Sequence, residues 1–142
     1  MKLVDLNVLL YVVNRNAPQH EAVRSWWEGA LSDDEPIGLS WIVLLGFLRL
    51  ATSAHVFPEP LTPEQAMDRV EVWGTHPKTR LVGEREEHWR ILRELIEETG
   101  TAGNLTTDAH LAALAISRGA TLVSCDADFG RYRHLRWENP SP

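Results

Sequence analysis

Short apolar runs alternate along this chain with longer stretches in which apolar positions recur every three or four residues. The first kind reads as buried strand and the second as amphipathic helix. Lys2, Leu3 and Val4 form a first strand that runs into Asp5. Val8 to Val13 continue as a helix for which Asn7 is a cap candidate. Pro18 suits the first turn of the next helix, whose stripe is Val23, Trp26, Trp27 and Ala30. Asp33 to Pro36 form a loop before a second strand, Ile37 to Leu39. Ser40 then caps a helix from Trp41 to Thr52 so apolar that it belongs in a core or against a partner. Thr62, Pro63 and Gln65 combine a capping box with a first-turn proline, and Ala66, Val70 and Trp73 point inward from the helix they open. Arg80 to Val82 read as a third strand. Glu84 to Thr99 read as a charged helix, supported by Glu86–Arg90 and Arg93–Glu97, with Trp89, Leu92, Leu95 and Ile96 on its apolar side and Gly100 as its stop. Leu135 and Trp137 mark a last strand. Strands alternating with single or paired helices predict an α/β fold, a central parallel sheet of four to five strands wrapped by helices, in a single domain over 1–142.

The stretch from Asn104 to Phe129 carries the chemistry. It reads as turn, helix, turn, buried strand and acidic loop. Thr106 or Thr107 caps the helix and Gly119 ends it. Leu111, Ala112 and Ala115 mark the inward face, and Asp108 lies on that same stripe. A carboxylate where apolar residues are expected needs a reason. Thr121, Leu122 and Val123 read as a parallel strand that ends in Ser124, Cys125, Asp126, Ala127 and Asp128. Singly, an Asp at a helix start answers to the helix dipole, and an Asp after a strand answers to a turn. Together they converge, because the carboxyl ends of parallel strands line the ligand crevice of such a sheet. Asp5, inside an otherwise apolar opening, joins Asp108 and Asp126 there.

Composition narrows the partners. Apolar content of 44% and charged content of 24% over 142 residues fit one globular domain. No run approaches the ~20 apolar residues that span a bilayer, and the N-terminus does not read as a secretory signal, so no membrane association is expected. One cysteine, Cys125, excludes an internal disulfide and fits the cytoplasm; it reads as a small buried strand residue. A net charge of −6 gives no diffuse attraction to nucleic acid, so any chemistry on it needs local basic groups or bound cations. Arg131, Arg133, His134 and Arg136 are such a local cluster.

Carboxylates sharing a cleft repel, and a bound divalent cation removes that cost. An all-oxygen ligand set selects Mg²⁺ or Mn²⁺, and no histidine pair at helical spacing or Cys–His cluster argues for zinc. Such cations activate water and neutralise charge on a phosphodiester.

LVDLNVLLY with Asp5 and Asn7, TTDAHLAALA with Asp108, and TLVSCDADF with Asp126, in this order and at these separations, resemble the PIN-domain ribonucleases, and most of all the VapC toxins of toxin–antitoxin pairs. The resemblance covers nearly the whole chain. It implies a three-layer PIN-like fold, Mg²⁺- or Mn²⁺-dependent endoribonuclease activity with Asp5, Asp108 and Asp126 as catalytic and metal-binding acids, an RNA substrate, a VapB-like antitoxin partner and a homodimer. Asn7 and Asn104 lie near the site in sequence as weaker RNA contacts, and Arg131 and Arg133 read either as phosphate contacts or as part of a solvated tail segment. His110, two positions from Asp108, points away from that face. The family's second acid, a Glu in the helix after the second strand, falls at Gly46 here, which leaves the second metal position empty, filled by water or served by Asp128. Gly46 motivates an alternative, a catalytically inactive PIN-like module that only binds a partner. A phosphatase with an Asp nucleophile after its first strand is disfavoured, because Asn7 stands where a second Asp is needed and no late lysine exists.

Overall fold

The computed structural model describes residues 1–142 and builds a sheet from β1 (Lys2–Val4), β2 (Ile37–Leu39), β3 (Thr79–Leu81), β4 (Thr121–Val123) and β5 (Arg136–Glu138). All pairings are parallel and the order is β3-β2-β1-β4-β5. The chain therefore builds outward from β1 on one side and then returns to the other. That reversal puts the switch point of the sheet between β1 and β4, the place where open parallel sheets bind ligands. Leu3, Val4, Leu39, Leu122 and Val123 are fully buried, as strands covered on both faces require.

The helices are α1 (Leu6–Val13), α2 (His20–Ser32), α3 (Trp41–Ala51), α4 (Pro63–Thr75), α5 (His88–Thr99) and α6 (Thr106–Ser117). Phe47 and Trp27 both pack edge-on to Trp73, at 4.8 and 6.0 Å between ring centroids, and so tie α2, α3 and α4 into one core. Thr62 and Gln65 form the expected capping box. Gly100 and Gly119 take left-handed φ angles of 67° and 61° at the ends of α5 and α6, where any other residue would be strained.

Several local expectations shift. The cap of α1 is Asp5, not Asn7, because β1 passes into α1 with no spare residue; its Oδ1 accepts the Leu6 N–H at 2.6 Å. Neither Thr106 nor Thr107 caps α6. A 3₁₀ turn, Gly103–Leu105, runs straight into the helix and its Gly103 carbonyl already accepts the Thr106 N–H. Pro18 lies in the turn ahead of α2, and α5 opens at His88 rather than Glu84, so Arg90 pairs with Glu94 instead of Glu86. Trp89 is 66% exposed rather than inward.

α3 buries only one side, through Val43, Leu44, Gly46, Phe47 and Ala51, and leaves Trp41, Ile42 and Leu45 in solvent. Gly46 permits the close approach of α3 to α1, since a Cβ there would lie 2.8 Å from Leu6 Cδ2. Gly46→Glu is expected to lower unfolding free energy by about 1–3 kcal/mol with or without Mg²⁺, because Leu6 fills the space. Urea titration measures the loss. Leu6→Ala in the same chain should recover most of it, and an unchanged midpoint for Gly46→Glu alone would mean that the helix contact carries no weight.

Candidate active site

Asp5 and Ser124 stand side by side because β1 and β4 pair in register, Val4 opposite Val123, and the Asp5 N–H continues the ladder to the Val123 carbonyl at 2.9 Å. Ser124 is wholly buried, and its hydroxyl is fully used. It donates to Asp5 Oδ2 at 2.7 Å and accepts from Asn7 Nδ2 and the Asp126 N–H, each at 3.0 Å. Asn7 closes the cluster. Its Nδ2 also donates to Asp5 Oδ2 at 3.1 Å, and its Oδ1 accepts the Cys125 N–H at 3.1 Å. Asp126 Oδ1 accepts the Asp128 N–H at 2.9 Å, which starts the 3₁₀ turn Ala127–Arg131.

These bonds fix Asp5 from several directions. Its carboxyl is nonetheless raised above the ordinary value, because burial outweighs the stabilising bonds from Ser124 and Leu6, and Asp126 adds repulsion. Asp108 enters from the first turn of α6. Burial, reinforced by the charges of Asp5, Asp126 and Asp128, pushes it up to about 6, and Arg131 opposes the rise. Asp5, Asp126 and Asp128 thus lie near enough for their charges to act on Asp108. Asp108 forms no hydrogen bond that relieves the repulsion. The Cys125 thiol, beside Asp5, is held up at about 11, mainly by burial, and so is no nucleophile. Burial and the nearby acids also raise Tyr132, a buried residue that the sequence reading did not single out; its place four residues after Asp128, at the end of the acidic turn, was the available signal.

The remaining candidates are distributed unequally. Asp128 is exposed and holds Arg131, whose guanidinium lies 3.2 Å from Asp128 Oδ1 and whose Nε donates to the Asp128 carbonyl at 2.9 Å. Arg133 has no acidic partner and lines a cavity of about 320 Å³ with Arg131, Glu98 and Thr99. Asn104 stands exposed on the 3₁₀ turn before α6 and makes no side-chain bond to the acids. His110 points away from Asp108, as expected, and meets His88 instead. Burial and His88 lower its pKa, with Glu84 opposing. No pattern search along a single helix finds this pair. It could be found from the apolar periods of α5 and α6, since His88 precedes Ile91 by one turn and His110 precedes Leu114 by one turn.

As the side chains stand, no three of the chain's His, Cys, Asp and Glu residues are drawn into a ready-made metal cage. The donor chemistry at the crevice still fits a hard cation. Its donors are all oxygen, they repel one another, and Asp108 is free to reorient.

A five-stranded parallel sheet wrapped by six helices, with Asp5 and Asp126 at the ends of its central strands, defines an α/β protein. The chain belongs to the PIN-domain family, whose description it matches over residues 2–135. It is similar to Ribonuclease VapC37 of Mycobacterium tuberculosis, with 45% identity over 140 residues covering 99% of this chain and 97% of the relative. It is also similar to Ribonuclease VapC33 of the same species, with 39% identity covering 99% and 98%. Among solved structures, VapBC2 from Rickettsia felis, bound to a DNA fragment from its promoter, superposes with a TM-score of 0.73 at 20% identity, covering 97% of each chain. Mycobacterium tuberculosis VapC20, a Sarcin-Ricin loop cleaving toxin, superposes with a TM-score of 0.68 at 15% identity, covering 96% and 99%. At these identities the two structures establish the fold alone. No helix is long and apolar enough to cross a membrane.

Proposed function

We propose that this chain is an endoribonuclease that hydrolyses RNA phosphodiester bonds with Mg²⁺ or Mn²⁺, and that it acts as the toxin of a toxin–antitoxin pair. The observation that carries the reading is the hydrogen-bonded cluster at the β1–β4 switch point, where Ser124 joins Asp5, Asn7 and Asp126 at the strand ends and the charges of these acids act on Asp108. The curated relatives named as VapC ribonucleases, similar over the whole chain, supply the reaction class.

Asp5, Asp108 and Asp126 would hold the cation, which when bound activates water and neutralises charge on the phosphodiester. Asp128 stands closest in chain to serve where Gly46 supplies no acid. Ser124 and Asn7 are positioning residues in this reading. The Asn7 amide donates to both Asp5 and Ser124, so Asn7 orients the acid, and it is the weaker candidate for RNA contact. Arg133, free of acidic partners, contacts a flanking phosphate, while Arg131 balances Asp128 and tempers Asp108. Asn104, at the exposed lip, is a weaker RNA contact.

Structural relatives solved as VapBC complexes support an antitoxin partner. The exposed Trp41, Ile42 and Leu45 on α3 give such a partner, or a second copy of the chain, an apolar surface. A homodimer is expected in sedimentation at roughly tens of micromolar protein, and a monomer there would overturn the dimer.

Cleavage of RNA by the purified chain is the direct test. Cleavage should appear with millimolar Mg²⁺ or Mn²⁺, stop with EDTA, and return when the cation is restored. RNA left intact under all of these conditions would favour the inactive module that Gly46 motivates.

A further inference from the structure

α5 and α6 lie against each other, and two imidazoles meet where they begin. His88 is the first residue of α5, and His110 follows the first turn of α6. His88 Nε2 and His110 Nδ1 are 3.0 Å apart, with ring centroids separated by 4.8 Å and planes crossing at 73°. The outer nitrogen of His110, Nε2, lies 3.5 Å from Glu84 Oε1. His88 Nδ1 is buried and has no partner.

We propose that His88 and His110 form a second cation site, distinct from the acidic crevice, that takes a borderline divalent transition ion of the Ni²⁺, Co²⁺, Cu²⁺ or Zn²⁺ class. The donor type sets this class, since imidazole nitrogen suits these ions and oxygen suits Mg²⁺. The separation agrees. Two nitrogens bound cis at right angles, with metal–nitrogen bonds of about 2.0–2.1 Å, stand about 2.9 Å apart, close to the observed separation. A tetrahedral angle would need about 3.3 Å, so Zn²⁺ requires the pair to open slightly. Glu84 supplies the outer partner that metal-bound histidines ordinarily have. Its carboxylate, 3.5 Å from Nε2, favours a proton on that nitrogen, which leaves Nδ1 as the donor atom for a cation. His110 retains 20% of its side-chain exposure, so water reaches the remaining coordination positions. Bound there, the ion joins the start of α5 to α6 a short way beyond Asp108, on the face turned away from it.

The competing account is a single N–H···N hydrogen bond, and the two diverge on titration. Melting curves are recorded on chelator-stripped protein, alone and with Ni²⁺, Zn²⁺ or Mg²⁺, in the parent and in an Asp126→Asn background that weakens the acidic crevice. Ni²⁺ at about a hundred times its dissociation constant should raise the melting temperature by about 4 °C or more in both backgrounds. His88→Gln and His110→Gln should each lose that rise. Paramagnetic broadening by Ni²⁺ or Co²⁺ on the unmodified chain needs no variant and should strike the ring signals of two of the six histidines first. Absence of any Ni²⁺ response in the parent, a full response in both His variants, or broadening spread evenly over all six rings would each overturn the site and leave the pair as a hydrogen bond.

Discussion

Asp108→Asn is expected to lower Mg²⁺-dependent RNA cleavage by about a thousandfold or more, equivalent to roughly 4 kcal/mol of transition-state stabilisation. The amide keeps the shape of the carboxylate and removes a charge that the cation needs. Asp108 shows the effect most cleanly, because it makes no hydrogen bond whose loss would confound the result. Asp5→Asn and Asp126→Asn should fall to a similar level. Asp5 carries a second cost, since an amide in its place presents an N–H₂ group either to Leu6 N–H or to Asn7 Nδ2, both donors. Ser124→Ala separates holding from binding. It orphans the Asp126 N–H and removes the hydroxyl that donates to Asp5, so it should cost about 1–3 kcal/mol of stability, while activity falls only about 10–100-fold. Single-turnover cleavage at saturating Mg²⁺, with the variants' folding checked by circular dichroism, measures all four. If the three Asp→Asn variants cleave like the parent, the acidic crevice is not the active site.

The order of elements was legible in the sequence because each strand is a short apolar run and each helix has its own period or cap. The joins between them were less so. Asp5 could be singled out as an acid in an apolar run, yet its second role as the α1 cap depends on β1 passing into α1 without a loop, and composition does not encode that. Asn7 was legible as a residue near the site. Its engagement with Ser124, across 117 positions, depends on the register of β1 against β4. The expectation that Asp108 meets Asp5 and Asp126 rests on the rule that strand ends and helix starts share one edge. The His88–His110 contact needs the packing of α5 on α6, for which the apolar period of each helix gives the face but not the pairing. Trp41 and Trp89 show the limit of apolar periodicity, which identifies a stripe without saying whether this chain or another covers it.

The metal-free protein is expected to lose stability as pH rises from about 4 to about 7, in proportion to the repulsion in the crevice. Asp108 has an ordinary value of 3.8 and is pushed up to about 6 in the fold, so between these values the folded state binds more protons than the unfolded state. Stability then falls as pH rises through this window and levels off above it. Asp5 is raised as well and acts in the same direction. Glu138 is lowered, by its bonds to Lys2 and Trp26, and acts oppositely at more acid pH, so the raw curve passes through a maximum. Subtracting the Asp108→Asn curve from the parent curve isolates Asp108. A full shift of this size corresponds to about 3 kcal/mol, and the solvent reaching this half-buried group reduces the expected difference to about 1 kcal/mol near pH 7. Asp108→Asn should therefore be more stable than the parent at pH 7 without metal and equal to it near pH 4, although it no longer cleaves RNA. Millimolar Mg²⁺ should raise the parent's melting temperature at pH 7 and leave Asp108→Asn nearly unmoved. Urea unfolding at steps from pH 4 to pH 7.5, with EDTA or with Mg²⁺, gives every term. A parent and variant whose curves run parallel across that range would show that the carboxylates do not share a crevice, and a parent indifferent to both Mg²⁺ and Mn²⁺ would remove the cation from the proposed mechanism.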